Sequence, residues 1–363
     1  MQTTAVEKDV NLLKRYCKIG SWVGVVPQEF KSITRKWIAL IFRTMIATSI
    51  VPIGFYRRVE QRYHHYSGIL KIVHCCLSLG RCSLLITSLV LPVRDTKSWY
   101  AFFKEIRKLK ELLDEAACKD IGNESIKAHA IKFVPCYIGI LLLNVWEVYE
   151  YEEDGLATTS VKFCMLVSLL IAVLANLMLK VIRNRYKAVN NVLRSSLECI
   201  IRDEKLTART IGQMKQMYIN CDNMVGHFNE IFGQMMFWTS MNTGLTLLIC
   251  LLLAYENEIP DISYVACFSL VAAVYVGFTT VIILSCDATE KQGKMFTNIC
   301  YKMYAKEQNV YLRDELLSLA IVSEKIGPRF SAAGFYVVNQ MFLSTFFSAL
   351  TSYAIVCIQF SML

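Results

Sequence analysis

The C-terminal stretch Gly334 to Phe360, GFYVVNQMFLSTFFSALTSYAIVCIQF, carries no charged residue. About 20 apolar residues suffice for a helix that crosses a bilayer, so this stretch directs the chain toward a membrane fold. Its polar residues are not scattered. At about 100° per residue, Gln340, Ser344, Ser348, Thr351, Ser352 and Gln359 fall on one face, roughly 140° wide. Phe342, Phe346, Leu350, Tyr353, Cys357 and Phe360 point away from it. In lipid, a polar stripe on an apolar helix must face protein or water. Two readings remain open. The stripe packs against another helix through small hydroxylated residues, or it lines a pore. One helix encloses no pore, so the second reading requires a ring of several copies.

Apolar blocks of similar length recur upstream. The chain is 55% hydrophobic with a mean hydropathy of +0.39, which suits an all-α polytopic membrane protein. Spans are expected at about 37–55, 69–93, 131–148, 160–182, 234–255, 262–286 and in the C-terminal stretch. The net charge is +9. Its basic residues alternate with the apolar blocks, so they are topology signals and do not indicate a nucleic-acid partner. With the N-terminus in the cytoplasm, segments 1–36, 94–130, 183–233 and 287–333 lie inside and hold 30 Lys and Arg. The outer segments hold only Arg57, Arg58 and Arg62. The expectation is seven transmembrane helices with a cytoplasmic N-terminus and an extracellular C-terminus. Helices one to six occupy 37–286, with cytoplasmic helical extensions at 94–130 and 183–233. A polar arm occupies 1–36, a charged helical block 287–333, and the last helix 334–363. The one glycosylation sequon, at Asn123, falls inside and is expected to stay unmodified.

The ending Ser352-Tyr353, five residues, Gln359-Phe360 resembles the C-terminal signature of insect gustatory receptors, seven-span chemoreceptor channels related to insect odorant receptors. That signature is Thr-Tyr, five mostly apolar residues, Gln-Phe. Gly334-Phe335 is similar to the Gly-Phe pair that precedes the family's last helix. Ser352 stands where the family usually has Thr, which keeps a hydroxyl and loses a methyl. The resemblance implies a tastant-gated, non-selective cation channel in the plasma membrane of chemosensory neurons. It implies a homotetramer, or a heterotetramer with related receptors, around a pore built by the last helix. Gln359 and Phe360 would form the constriction, with Ser344, Ser348, Thr351 and Ser352 lining the conduit below. The charged block 287–333 would serve as a subunit anchor, although such segments also suit solvated extensions. The ligand class is open, with a bitter or other small molecule favoured over sugars. Two other functions stay open: a secondary transporter, and a receptor subunit that conducts only with a co-receptor.

Enzyme signatures such as HExxH, the Walker loop and GxSxG are absent, so no catalytic residue and no cofactor is expected. The 14 cysteines form no CxxC pair, and mostly free thiols are expected. His64-His65 in the first outer loop is read as a solvated pair, and no metal site is expected. A ligand pocket in the outer half of the spans would draw on His74, Trp146, Tyr149, Lys162, Tyr255 and Tyr264. Aromatic walls with few polar groups suit a small organic ligand. Trp and Tyr also anchor helices at bilayer interfaces, and Lys71 and Lys162 can snorkel to the headgroups. The outer acidic residues Glu147, Glu150, Glu152, Glu153, Asp154, Glu256, Glu258 and Asp261 either concentrate cations or simply reflect the exclusion of basic residues from that side. Arg43 and Arg81 sit deep in their spans and require partners or water.

Overall fold

The computed structural model describes residues 5–27, 37–38, 41–42, 45, 68–115, 155–199, 204–255 and 262–361. Among them are eight helices: α1 (Ala5–Val23), α2 (Gly68–Arg94), α3 (Thr96–Glu115), α4 (Gly155–Cys199), α5 (Glu204–Tyr255), α6 (Ile262–Tyr304), α7 (Val310–Lys325) and α8 (Gln340–Ser361). A two-residue hairpin, β1 (Ser331–Ala332) and β2 (Tyr336–Val337), joins α7 to α8.

Five of these helices, α2, α4, α5, α6 and α8, are long and apolar enough to cross a membrane. The expected third span lies outside the described residues. Of the first span, Trp37, Ile38, Ile41, Phe42 and Met45 are described; they are helical and exposed.

Three helices are far longer than a bilayer requires. α4 has 45 residues, α5 has 52 and α6 has 43. At about 1.5 Å per residue each exceeds 60 Å, roughly twice the hydrocarbon thickness. Between Leu156 and Cys199 the sequence contains neither Gly nor Pro, so nothing breaks α4 where it passes from apolar to charged composition. The extra length packs into one core. Tyr186 of α4, Tyr218 of α5 and Phe296 of α6 are fully buried, with ring centroids 5.7 and 4.5 Å apart in that order. Tyr218 donates to the Ser323 carbonyl of α7 over 3.1 Å, and Thr297 of α6 shares a 2.9 Å hydroxyl contact with Ser323. α7 is thereby fixed against both long helices.

Among the described residues, α4 is the most deeply covered of the long apolar helices. Of its most apolar window, 94% is buried, as expected for a helix apolar on all sides. Polar contacts set the register of the bundle: Thr243 of α5 meets Thr279 of α6 at 2.8 Å, and Asn176 of α4 accepts from Ser285 of α6. The ten cysteines with described side chains are all free.

The C-terminal stretch differs from the expectation at its start. The helix begins at Gln340, not at Gly334. Ala333 and Gly334 have φ of 54° and 82°, and Phe335 N–H donates to the Ala332 carbonyl at 3.0 Å. Two consecutive positive φ angles close a tight hairpin turn of the kind that favours glycine. Asn339 then caps α8, its side-chain oxygen accepting from Phe342 N–H at 3.1 Å.

Candidate pore helix and ligand region

α8 is the least covered of the long apolar helices. Only 6% of its apolar window is buried. One face packs on its own chain: Phe342, Leu343, Phe346, Leu350 and Cys357 are half-buried, and Ala354 is buried. Ala354 sits in a cluster with Leu248, Ile249, Leu252 and Leu253 of α5 and Leu70, Val73 and Leu77 of α2. The close approach is set by Gly244 of α5. A Cβ there would stand 3.3 Å from Leu350 Cδ2 and 3.4 Å from Phe346 Cζ.

The polar stripe turns the other way. Gln340, Ser344, Ser348, Thr351, Ser352 and Gln359 are all exposed. By helical angle the centre of the stripe lies opposite the packed face. Three of its hydroxyls are satisfied locally: Ser344 donates to the Met341 carbonyl at 3.3 Å, Thr351 to the Phe347 carbonyl at 3.0 Å and Ser352 to the Ser348 carbonyl at 3.1 Å. Such back-bonding removes the cost of an unpaired hydroxyl while leaving the oxygen lone pairs available. Thr345, exposed and bonded to the Met341 carbonyl, extends the stripe by one residue that the sequence reading omitted.

Two aromatic residues on the side away from the stripe are exposed. Tyr353 and Phe360 are exposed by 64% and 63%. They lie at the edge of the packed arc, and no described residue covers them. Phe360 therefore stands free beside Gln359 at the C-terminal end of α8.

The base of α8 is tied to α5 and α6. Phe237 of α5 stacks on Phe335 of the hairpin, with centroids 4.6 Å apart. Tyr336 stacks on Phe342 at 4.1 Å. Lys291 of α6 reaches the Gln340 side-chain oxygen at 3.5 Å. The hairpin is held in turn by Asn229 of α5, which donates to the Arg329 carbonyl at 2.8 Å and accepts from Ser331 N–H at 3.1 Å.

The proposed ligand residues are not brought together by the described part of the chain. Trp146 and Tyr149 lie outside it. Lys162 and Tyr264 lie on the α4 and α6 helical backbones. His74 is half-buried on α2, and Tyr255 is exposed at the end of α5. The outer acidic residues, His64, His65, Asn123 and Arg43 fall outside the described residues too.

Arg81 is inside them and is 7% exposed. It lies within electrostatic reach of Cys164 on α4 and Tyr275 on α6, and its Nε has no hydrogen-bond partner among the described residues. A buried guanidinium, a phenol and a thiol from three helices form a polar group that spacing along the chain could not reveal. Among the described residues no group of three or more His, Cys, Asp or Glu could hold a metal.

The fold has solved counterparts. The chain is similar to the structure of the insect olfactory receptor OR5 from Machilis hrabei in complex with eugenol, with a TM-score of 0.64 at 13% identity, covering 96% of this chain and 98% of that one. It is also similar to the structure of the same receptor described without eugenol, with a TM-score of 0.63 at 14% identity and the same coverage. A search of curated proteins finds no match. The family model described as 7tm Chemosensory receptor matches residues 13–363, nearly the whole chain, and the chain belongs to that family of multi-pass membrane chemoreceptors.

Proposed function

We propose that this chain is a gustatory receptor: a tastant-gated, non-selective cation channel in the plasma membrane of chemosensory neurons. Four copies, identical or mixed with related receptors, surround one pore built by α8. The observation that carries this reading is the bareness of α8. A helix with 6% of its apolar window buried and its polar stripe turned from its own chain is incomplete as a monomer. Stripes from several copies facing one axis satisfy the requirement that polar surface in a membrane meets water. Ser344, Ser348, Thr351 and Ser352 line the conduit. Gln359 and Phe360 form the constriction, where a ring of phenyl groups closes by dewetting and amides meet the ions.

The N-terminus is cytoplasmic and the C-terminus extracellular, in accord with the distribution of Lys and Arg. The extensions of α4, α5 and α6, with α7, form the anchor that holds the subunits together. The ligand enters from the outer side among His74, Trp146, Tyr149, Lys162, Tyr255 and Tyr264, with Arg81 and Tyr275 offering polar groups deeper in the bundle. Its binding shifts α5 and α6, and the aromatic stack at the hairpin passes the shift to α8. Opening requires tighter ligand binding in the open state than in the closed one.

The test is electrical. Purified protein in a planar bilayer is expected to give unitary currents in the presence of an agonist found by calcium imaging against alkaloids, sugars and amino acids. Phe360→Ala and Gln359→Ala are expected to change basal current and gating. Ligand-driven uptake without unitary currents would identify a transporter. Currents that appear only with a second receptor chain would identify an obligate heteromer.

A further inference from the structure

A charged pair stands at the foot of α8. The Lys291 ammonium lies 2.6 Å from the Asp287 carboxylate, one turn earlier on α6. It also reaches the Gln340 side-chain oxygen at 3.5 Å. Gln340 is the first residue of α8 and the first of its polar stripe. Lys291 therefore joins α6 to the start of the face assigned to the conduit. The two members of the pair differ in exposure. The Lys291 side chain is 63% exposed and the Asp287 side chain 17%. The next pair on α6, Lys294 with Glu290, repeats the arrangement. In both, the ammonium projects and the carboxylate is recessed.

Both helices change character at this level. On α6, Asp287 is the first residue after the sixth apolar stretch, and Lys291 lies about 6 Å further along the axis. On α8, Gln340 opens the helix directly after its cap, Asn339. The pair thus marks the inner end of the polar stripe, on the side that the Lys and Arg distribution puts in the cytoplasm. An ion pair with so exposed a member contributes little to stability. Its field acts instead on ions that approach the stripe from inside.

We propose, resting on the reading of α8 as the pore helix, that Lys291 and Asp287 form a ring of paired charges at the cytoplasmic mouth and set how readily cations enter the conduit from inside. Rings of charged side chains tune what a pore admits. The projecting ammonium stands nearer the ions than the recessed carboxylate does, so its sign dominates. It lowers the cation concentration at the inner mouth and limits outward current. Inward current is fed from the other side and is affected less. The two members therefore act with opposite sign. Without the ammonium, each copy presents a bare carboxylate that draws cations in. Without the carboxylate, each copy presents a bare ammonium that repels them. A pair that served only to hold α6 to α8 would give the same direction of change whichever member was removed.

The test reads unitary currents of the full-length protein in a planar bilayer, with potassium chloride on both sides as the probe. At about 0.1 M salt, where charges act over about 10 Å, Lys291→Gln is expected to raise outward unitary current about twofold. Lys291→Glu is expected to raise it further, and Lys291→Arg to leave it unchanged. Asp287→Asn is expected to lower it. At about 1 M salt, where the reach falls to about 3 Å, the differences are expected to vanish. Lys302→Gln, exposed about 17 Å further along α6, is expected to behave as the wild type does. Should Asp287→Asn not fold, the graded series at the exposed position 291 and its salt dependence decide the matter. An outward current indifferent to the charge at 291, a change of the same sign for Lys291→Gln and Asp287→Asn, or a change that persists at high salt overturns the proposal while leaving the channel reading intact. Wild-type protein without unitary currents removes the channel reading and this proposal with it.

Discussion

The ring of Tyr336 lies parallel to that of Phe342, with centroids 4.1 Å apart. Tyr336 belongs to the hairpin that Asn229 of α5 holds. Phe342 lies in the first turn of α8. The stack is thus a mechanical link between the long helix α5 and the proposed pore helix. Phe237 on one side and Phe346 on the other continue it, with centroid distances of 6.4 and 5.6 Å.

Removing the ring should loosen this link. An aromatic pair contributes about 1 kcal/mol beyond its buried area, equivalent to about a fivefold change in an equilibrium. Tyr336→Ala is expected to shift agonist dose–response curves by about fivefold or more, at surface expression close to wild type. Tyr336→Phe keeps the ring and is expected to leave the curve in place. Calcium imaging alongside surface labelling checks both.

The approach of α5 to α8 at Gly244 gives a steric prediction. A Cβ at 3.3 Å from Leu350 is tight and requires the flexible end of the half-buried leucine side chain to yield by a few tenths of an ångström. Gly244→Ala is expected to be tolerated. Gly244→Leu drives α8 away from its seat, at about 1–3 kcal/mol for overpacking. It is expected to lower the thermal stability of the purified protein and the fraction assembled as oligomer on size exclusion. Unchanged assembly would place α8 elsewhere than against α5.

The part of α5 that precedes its apolar section contains a proton-linked group. Burial pushes the Asp222 carboxyl up to about 6. Its unfolded value is about 4, so the folded state binds this proton more tightly. The associated stability is present below about pH 4 and is lost as pH rises through 6. Asp222→Asn is expected to raise the melting temperature at about pH 7.5 and to flatten the change in melting temperature between about pH 7.5 and pH 5. A variant with the wild-type pH dependence would remove Asp222 from the linkage.

Much of α8 was legible in advance because a 3.6-residue period needs only local sequence. The stripe from Gln340 to Gln359 and the packed residues Phe342, Phe346, Leu350 and Cys357 emerge from that period alone. The helix start did not. Strands of two residues leave no alternation to read, and the turn depends on the positive φ of Ala333 and Gly334. The exposure of Tyr353 and Phe360 was also illegible, since it depends on how far α5 and α2 extend beside α8. The neighbours of Arg81 on α4 and α6 lie more than 80 residues away in the chain. Convergence of that kind belongs to tertiary packing, which no local pattern encodes.

The central claim is that the bare polar face of α8 surrounds water in an assembly of several copies. The most direct measurement is block by a water-soluble, membrane-impermeant thiol reagent after cysteine substitution along that face. Agonist-evoked current is expected to fall sharply and irreversibly for Ser344→Cys, Ser348→Cys and Ser352→Cys, and to stay unchanged for Leu350→Cys on the packed face. Stripe cysteines that leave the current untouched in correctly trafficked protein, or equal block on both faces, would contradict the account.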